Sequence, residues 1–434
     1  MAPAVFSFDG YPDLRFRCRC CGFCCSHFEV TATADEVERI GKLRLPGGIQ
    51  PREGFAPLHD NLFTVVKDET RRCRFMDDGG LCQIHRTLGA TAKPVACRLY
   101  PFSIHTWVDG RVSADLRFIC PAVGDPDGTR LADHLAQIRE MAGLLRPREK
   151  AADTTYSERN PVSLAAVRQV HEGIKAILLA TEYPFPLRLY ITVKVIDFHS
   201  RREMFPAIAA ADAGFRTEAL SFLSKAAALL TKELAQTERL PLRERIEFRS
   251  LVGGYLRDDD AATTNWWHRF VRMRHFVAFG LGGGSLRRIN PSCPETGGME
   301  CLTAAQGMPV DPDAMAGFEM FFYGKLCAMH FCSRYVHHYT YELGLRHLLL
   351  TAPVAQAMAA MFARTEGRDR IDRATMRRAL TYIDTAFILS PYFRQAHTRR
   401  VLQQLTRPAI YAALLHNGFS GTFDLGRNHL SEGR

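Results

Sequence analysis

Phe16-Arg17-Cys18-Arg19-Cys20-Cys21-Gly22-Phe23-Cys24-Cys25 crowds five cysteines into eight positions near the start of the chain. Cys18, Cys21 and Cys24 recur every third residue. Two-residue gaps let one loop turn both sulfurs toward a single centre, as zinc knuckles and iron–sulfur loops do. Gly22 can supply the tight turn such a loop needs. Cys24 and Cys25 are adjacent, and neighbouring side chains are expected to leave the backbone on different sides, so the two need not serve one ion.

Working outward, nine of the 13 cysteines fall within the first 120 residues: these five, then Cys73, Cys82, Cys97 and Cys120. Cys293, Cys301, Cys327 and Cys332 lie far downstream. An odd total, so crowded, does not suit the disulfide framework of a secreted protein. The first residues also lack a basic segment followed by an apolar one, which points away from a secretory signal. Clustered thiols in a reducing compartment read as metal ligands or redox groups, and a cytoplasmic location is expected.

With Cys20 set aside, Cys18, Cys21, Cys24, Cys25, Cys73, Cys82, Cys97 and Cys120 form the expected ligand set. Eight thiolates suffice for two four-sulfur sites, or for one cluster with spares. Soft thiolates select zinc or iron–sulfur. Arg17, Arg19 and Arg98 flank the ligands and would offset a strongly anionic centre, which favours an iron–sulfur cluster, 4Fe–4S in type. For any single downstream cysteine, a buried small hydrophobe is the simpler reading.

The rest of the chain dictates the architecture. Its 434 residues are 47% hydrophobic and 24% charged, which excludes a disordered or low-complexity protein. Thr33-Ala34-Asp35-Glu36 has capping-box spacing and opens a short helix. Leu62 to Val66 reads as a strand. Phe102 to Val108 and Arg111 to Phe118 flank Asp109-Gly110, a tight hairpin turn. Elements this short bury little, and a metal centre commonly replaces missing core. After the Gly124-to-Gly128 break the apolar period becomes helical, as in Leu164, Val167, Val170, Ile174 and Leu178. Further helices are expected over Ala219–Leu234, Ala314–Leu349, Val354–Ala363, Arg373–Leu389 and Phe393–Leu405. The fold class is therefore α+β: a Cys-rich metal-binding domain with few strands over 1–125, a linker over 126–160, and a mostly α-helical domain over 161–434 that binds a substrate or partner.

The segments Phe16-Arg17-Cys18, Cys21-Gly22-Phe23-Cys24-Cys25, Cys73-Arg74-Phe75, Leu81-Cys82-Gln83-Ile84-His85, Cys97-Arg98-Leu99-Tyr100-Pro101-Phe102 and Ile119-Cys120-Pro121 together resemble the bacterial YkgJ-type cysteine-cluster family. That resemblance covers about the first quarter of the chain and implies zinc or iron chelation. The chain is also similar to the flagellin lysine-N-methylases, in its cysteine-rich start, long helical remainder and total length. This second resemblance implies a protein-lysine N-methyltransferase carrying an iron–sulfur cluster, with S-adenosylmethionine as methyl donor and flagellin as the protein substrate. Ser26-His27-Phe28 departs from that family, where a Trp soon follows the cysteine pair.

Charge is uneven. Residues 1–125 hold 16 Lys+Arg against 15 Asp+Glu, and the remainder holds 40 against 31, so basicity belongs to the helical part. Two stretches there lack any carboxylate. Ala261 to Pro294 interleaves Arg269, Arg272, Arg274, Arg287 and Arg288 with Trp266, Trp267, Phe270 and Phe276; Thr385 to Phe423 carries Arg394, Arg399, Arg400 and Arg407. Such stretches read either as solvated faces or as a surface for an acidic polymer, a phosphate group or an acidic protein. Within the first, Gly280, Gly282 and Gly283 are the expected cofactor-binding loop, because glycines let backbone N–H groups approach an anion.

Cys327-x-x-His330-x-Cys332 with His337-His338 resembles a second metal site, but a continuous helix would separate its sulfurs, and a buried aromatic helix accounts for it better. No nucleophile elbow, zinc-protease motif or phosphate loop is present, and no catalytic side chain is assigned. The expected function is an iron–sulfur or zinc protein that methylates lysine. The alternative is a non-enzymatic chelating module with a helical partner-binding domain. Neither membrane nor nucleic acid is an expected partner.

Overall fold

The computed structural model describes residues 5–6, 12–45, 50–59, 61–70, 72–145, 151–201, 214–235, 240–257, 266–283, 286–290, 293 and 307–419. The chain divides into two compact units, the first reaching to Ala151 and the second made mainly of the residues from Ala152 onward. The first is a small unit of few strands and the second is mostly helical, an α+β protein as the sequence predicts.

The first unit contains β1 (Val5–Phe6), β2 (Arg15–Phe16), α1 (Phe23–His27), β3 (Thr31–Thr33), α2 (Ala34–Gly41), β4 (Phe55–His59) and β5 (Leu62–Val65). It continues with α3 (Gln83–Leu88), α4 (Val95–Leu99), β6 (Phe102–Thr106), β7 (Arg111–Leu116), β8 (Thr129–Arg130) and α5 (Leu135–Leu145). β6 and β7 pair antiparallel, Phe102 opposite Leu116 and Thr106 opposite Val112, with β1 parallel on the far edge of β7. Gly110 takes the positive φ, 81°, that the turn between them demands. A second sheet runs β3-β5-β4, and β2 pairs with β8.

The capping box forms at α2. Thr33 Oγ1 accepts the Glu36 N–H at 3.4 Å, and the Glu36 carboxylate accepts the Thr33 N–H at 2.8 Å. Val37 and Ile40 then enter a core with Ala32, Phe55, Val65, Phe75 and Ile84, and Cys73 and Cys82 pack against its edge. Part of the stretch expected as a linker is structured. Residues 129–145 form β8, a short 3-10 turn and α5, whose Ile138 and Met141 are fully buried; they belong to the first unit because α5 packs on β6 and α4.

The second unit contains α6 (Leu164–Leu178), α7 (Phe185–Arg201), α8 (Gly214–Ala235), α9 (Leu242–Leu256), α10 (Trp266–Leu281), α11 (Leu286–Ile289), α12 (Pro312–Ala328), α13 (Tyr341–Thr365), α14 (Arg373–Leu389), α15 (Ala396–Leu405) and α16 (Pro408–Phe419). α13 is its centre, packed by α7, α9, α12, α14, α15 and α16. By length and composition α13 could cross a membrane, but 83% of its apolar window is buried within the unit.

Two helix expectations are corrected here. Ala314–Leu349 is not one helix: α12 stops at Ala328, where Met329 caps it with a left-handed φ of 54°, and residues 329–340 form buried turns before α13. Conversely, the expected break between Leu349 and Val354 is absent: α13 runs without interruption through both, and through Pro353. A proline cannot donate to the carbonyl four residues earlier. That acceptor, Leu349 O, instead takes the hydroxyl proton of buried Tyr411 at 2.7 Å. Across α12 and α14, Lys325 Nζ meets Asp384 Oδ1 at 2.9 Å, both side chains fully buried.

Candidate metal centre

Three local structures and the turn at Cys120 bring the cysteines together. The first is the turn ahead of α1. Gly22 sits at the helix N-cap with φ 70°. A Cβ there would lie 2.9 Å from Met76 Sδ and 3.0 Å from Gly80 O, so the cysteine knot lies directly on the loop between Cys73 and Cys82. Only glycine satisfies both the φ and the approach. From the C-terminal side, Lys67 Nζ donates to Ser26 O at 3.3 Å and holds the end of α1.

The second is that loop, a tight hairpin. Asp77 N donates to Leu81 O, and Asp77 Oδ1 accepts the Leu81 N–H, each at 2.9 Å; Met76 and Cys82 form a β-bridge across the closing. Arg86 clamps the Asp77 carboxylate at 2.6 Å. Cys82 thereby stands at the start of α3, with Gln83 N bound to Phe75 O.

The third is α4, which carries Cys97. Its first N–H, at Val95, is accepted by Glu36 Oε1 at 2.8 Å. Cys120 follows β7 at a turn closed by its own N–H to Arg117 O, and is buried.

One pocket results, walled by Cys18, Cys20, Cys21, Cys24, Cys25, Cys82, Cys97 and Cys120, together with His85, Lys93 and Tyr100. Seven of the eight expected ligands line it. The eighth, Cys73, lies just behind, close enough for its sulfur to act electrostatically on Cys25 and Cys97. Cys20, which the spacing argument leaves out, is on the wall with a left-handed φ of 51°. The knot is graded in exposure: Cys18, Cys20 and Cys21 are exposed, and Cys24 and Cys25 are half-buried.

Cys24 and Cys25 correct an expectation. They lie in a helix, where consecutive side chains are about 100° apart and do not oppose each other. Their sulfurs are 3.9 Å apart. A tetrahedral ion with metal–sulfur bonds of about 2.3 Å spaces its ligand sulfurs by about 3.8 Å, so this pair already spans one tetrahedral edge. Among the described residues, no three Cys, His, Asp or Glu side chains are drawn in to the spacing of one ion.

The electrostatics favour thiolates in one part of the pocket. Donation from the Cys25 thiol, helped by the Lys93 charge, lowers Cys24 to about 6 and raises Cys25, so the pair loses its first proton easily and its second with difficulty. Burial pushes Cys73 up to about 11 and Cys97 higher still, with Lys93 opposing at Cys97. Burial would also lower Lys93, but the sulfurs of Cys97, Cys82, Cys24 and Cys25 more than reverse it, so its ammonium stays charged. Burial, then Lys93, lowers His85, which leaves a neutral imidazole as a possible nitrogen donor. The donor set therefore fits a soft metal: thiols in numbers, one pair at ligand spacing, and a fixed cation to balance them.

That cation is not among those the sequence suggests. Arg98 is engaged by Glu140, and Arg19, at the rim, by Asp125. Lys93 is the balancing charge, and no spacing signal marks it; only the fold turns it inward. The His27 side chain, Cys301 and Gly284-Ser285 lie outside the described residues.

The other expected sites are placed as follows. Gly280 is the penultimate residue of α10, and Gly282 and Gly283 close it, their N–H groups donating to Phe279 O and Ala278 O at 3.1 and 2.8 Å. Amides so occupied cannot cradle an anion, and the cofactor-loop expectation gains nothing from this geometry. In the second unit, Cys332 is buried with its thiol on Met329 O, inside the aromatic packing of Phe331, Tyr339 and Tyr341.

Residues 17–120, about a quarter of the chain, match the family model CxxCxxCC, described as a "Putative zinc- or iron-chelating domain". No curated protein matches the chain, and no solved structure does.

Proposed function

We propose that the first unit holds a thiolate-bound metal centre, iron–sulfur in preference to zinc, and that the helical unit is the body through which this centre is coupled to a partner protein. One observation carries the reading: eight cysteines from four separate stretches of chain line one pocket. The match of residues 17–120 to a zinc- or iron-chelating family model supports it. Cys24 and Cys25 would supply the first ligands, with Cys82, Cys97 and Cys73 completing an inner group beside Lys93. The exposed Cys18, Cys20 and Cys21 would close the open side. A bound cluster would supply electron-transfer or Lewis-acid chemistry. Among the chain's own residues, Lys93 would hold the charge balance. Iron–sulfur is preferred because Lys93 fixes a half-buried positive charge against an anionic centre.

Methyl transfer to lysine from S-adenosylmethionine, on flagellin or another protein, has only the resemblance behind it, and the glycines of α10 add no donor site. The non-enzymatic reading is therefore preferred.

Anaerobic purification followed by metal and acid-labile sulfide analysis tests the proposal. Iron with sulfide and a brown chromophore is the expected outcome, lost in Cys24→Ser and Cys25→Ser. Stoichiometric zinc without sulfide would keep the thiolate centre and overturn the cluster. A wild-type protein that takes up neither metal on reconstitution would overturn both. Incubation with labelled S-adenosylmethionine and flagellin is expected to leave lysine unlabelled.

A further inference from the structure

Helix α10 turns an apolar ridge outward. Trp267, Phe270, Met273, Val277 and Leu281 are 53, 54, 53, 52 and 66% exposed. Their spacings of three and four put them within about a third of the helix circumference. The opposite side carries Phe276 and Phe279, which approach Gly253 of α9. Trp267 and Phe270 stack, ring centroids 5.7 Å apart. From Trp267 to Leu281 the ridge is roughly 21 Å long. Exposed large hydrophobics scattered singly need no explanation; a continuous row does.

The row has the register of a helix-pairing seam. Trp267, Phe270, Val277 and Leu281 fall on positions a, d, d and a of successive heptads, and the a position between them is Arg274, also exposed. Residues 261–294 contain no Asp or Glu, so α10 itself offers Arg274 no carboxylate. We infer that the ridge of α10 docks an amphipathic helix of a different protein, whose apolar seam carries an Asp or Glu opposite Arg274. This gives the partner-binding part of the proposed function its chemistry, and does not depend on the metal centre.

Arg274 decides against the other occupants. It stands at the midpoint of the ridge, so a symmetric pairing with a second copy, parallel or antiparallel, sets Arg274 against Arg274 with no acid on either helix. A lipid surface suits a helix with arginines bordering the apolar stripe, whereas here the charge interrupts the stripe itself. Across a helix pair, one polar group at an a position instead fixes register and partner.

The experiment uses the full-length protein and two labelled three-heptad peptides, with Leu on the seam and either Glu or Lys at its central a position. Fluorescence anisotropy is expected to show the Glu peptide binding at least about tenfold tighter than the Lys peptide. Arg274→Glu should invert that preference, and Phe270→Asp should abolish binding of both peptides while the circular-dichroism melt stays unchanged. Equal affinities, no saturable binding, or indifference to Phe270→Asp would overturn the inference. So would a concentration-dependent dimer, or pelleting with phosphatidylcholine–phosphatidylglycerol vesicles, that Phe270→Asp removes; these would assign the ridge to a second copy or to lipid.

Discussion

The Glu36 carboxylate joins the helix it caps to the helix that carries a pocket cysteine. One oxygen closes the capping box on Thr33, and the other accepts the Val95 N–H at 2.8 Å, two residues before Cys97. α4 follows Pro94, which caps it with no side-chain bond, so Glu36 does this from 59 positions away. Glu36→Ala leaves the N–H groups of Thr33 and Val95 without an acceptor in a buried place. A loss of about 2–4 kcal/mol is expected for the first unit, from two hydrogen bonds to a charged group. Metal content should fall with it although no ligand is touched. Urea unfolding and metal analysis of the variant check this; full metal occupancy at wild-type stability would refute it.

Gly22→Ala should behave as a ligand mutation without removing a ligand. The substitution places a Cβ against the Gly80 carbonyl and asks alanine for a left-handed φ, which costs about 1–2 kcal/mol before the clash. The knot should lift from the Cys73–Cys82 loop. Thiol alkylation of the metal-free protein is the readout: Cys24 and Cys82 should react faster than in wild type. Unchanged rates would show that the contact does not position them.

In the helical unit, Tyr411→Phe tests how α13 tolerates Pro353. The variant keeps the ring and removes only the proton donated to Leu349 O. Leaving that buried carbonyl unsatisfied should cost about 1–3 kcal/mol, read as a lower urea midpoint. Restoring the ordinary ladder with Pro353→Ala should make the same Tyr411→Phe change nearly silent.

The helical unit should weaken in mild acid. Burial pushes His171 down to about 3 and His337 to about 4, with Arg168 and Lys175 adding at the first and Arg394 and Arg399 at the second. Both are neutral when folded and titrate near 6.5 when unfolded. Above pH 6.5 neither state binds the proton and nothing is lost. Below it the unfolded chain binds protons that the folded one refuses, so stability falls by up to about 1.4 kcal/mol per pH unit per histidine, down to about pH 4 for His337 and pH 3 for His171. Urea midpoints at pH 7.5, 6 and 5 measure the slope, and His171→Gln should flatten it. A midpoint that stays level across this range would exclude the mechanism.

Local sequence was sufficient wherever the cause is local. The Thr33–Glu36 cap, the Asp109–Gly110 turn and the cysteine gaps each depend on residues a few positions apart, and so did the division into a cysteine-rich unit and a helical one. The residues that make the pocket a charge-balanced site were not legible in this way. Lys93 among the sulfurs, Glu36 on Val95 and Gly22 on Gly80 are contacts between segments far apart in the chain, and no spacing rule encodes them. The same holds for Tyr411 rescuing the carbonyl that Pro353 orphans, which let a helix continue where a proline suggests a stop. Residue types and their short-range order determined what chemistry this protein could hold. Only the packing of one segment on another decided which thiols meet and which cation faces them, because burial and charge act through space and not along the chain.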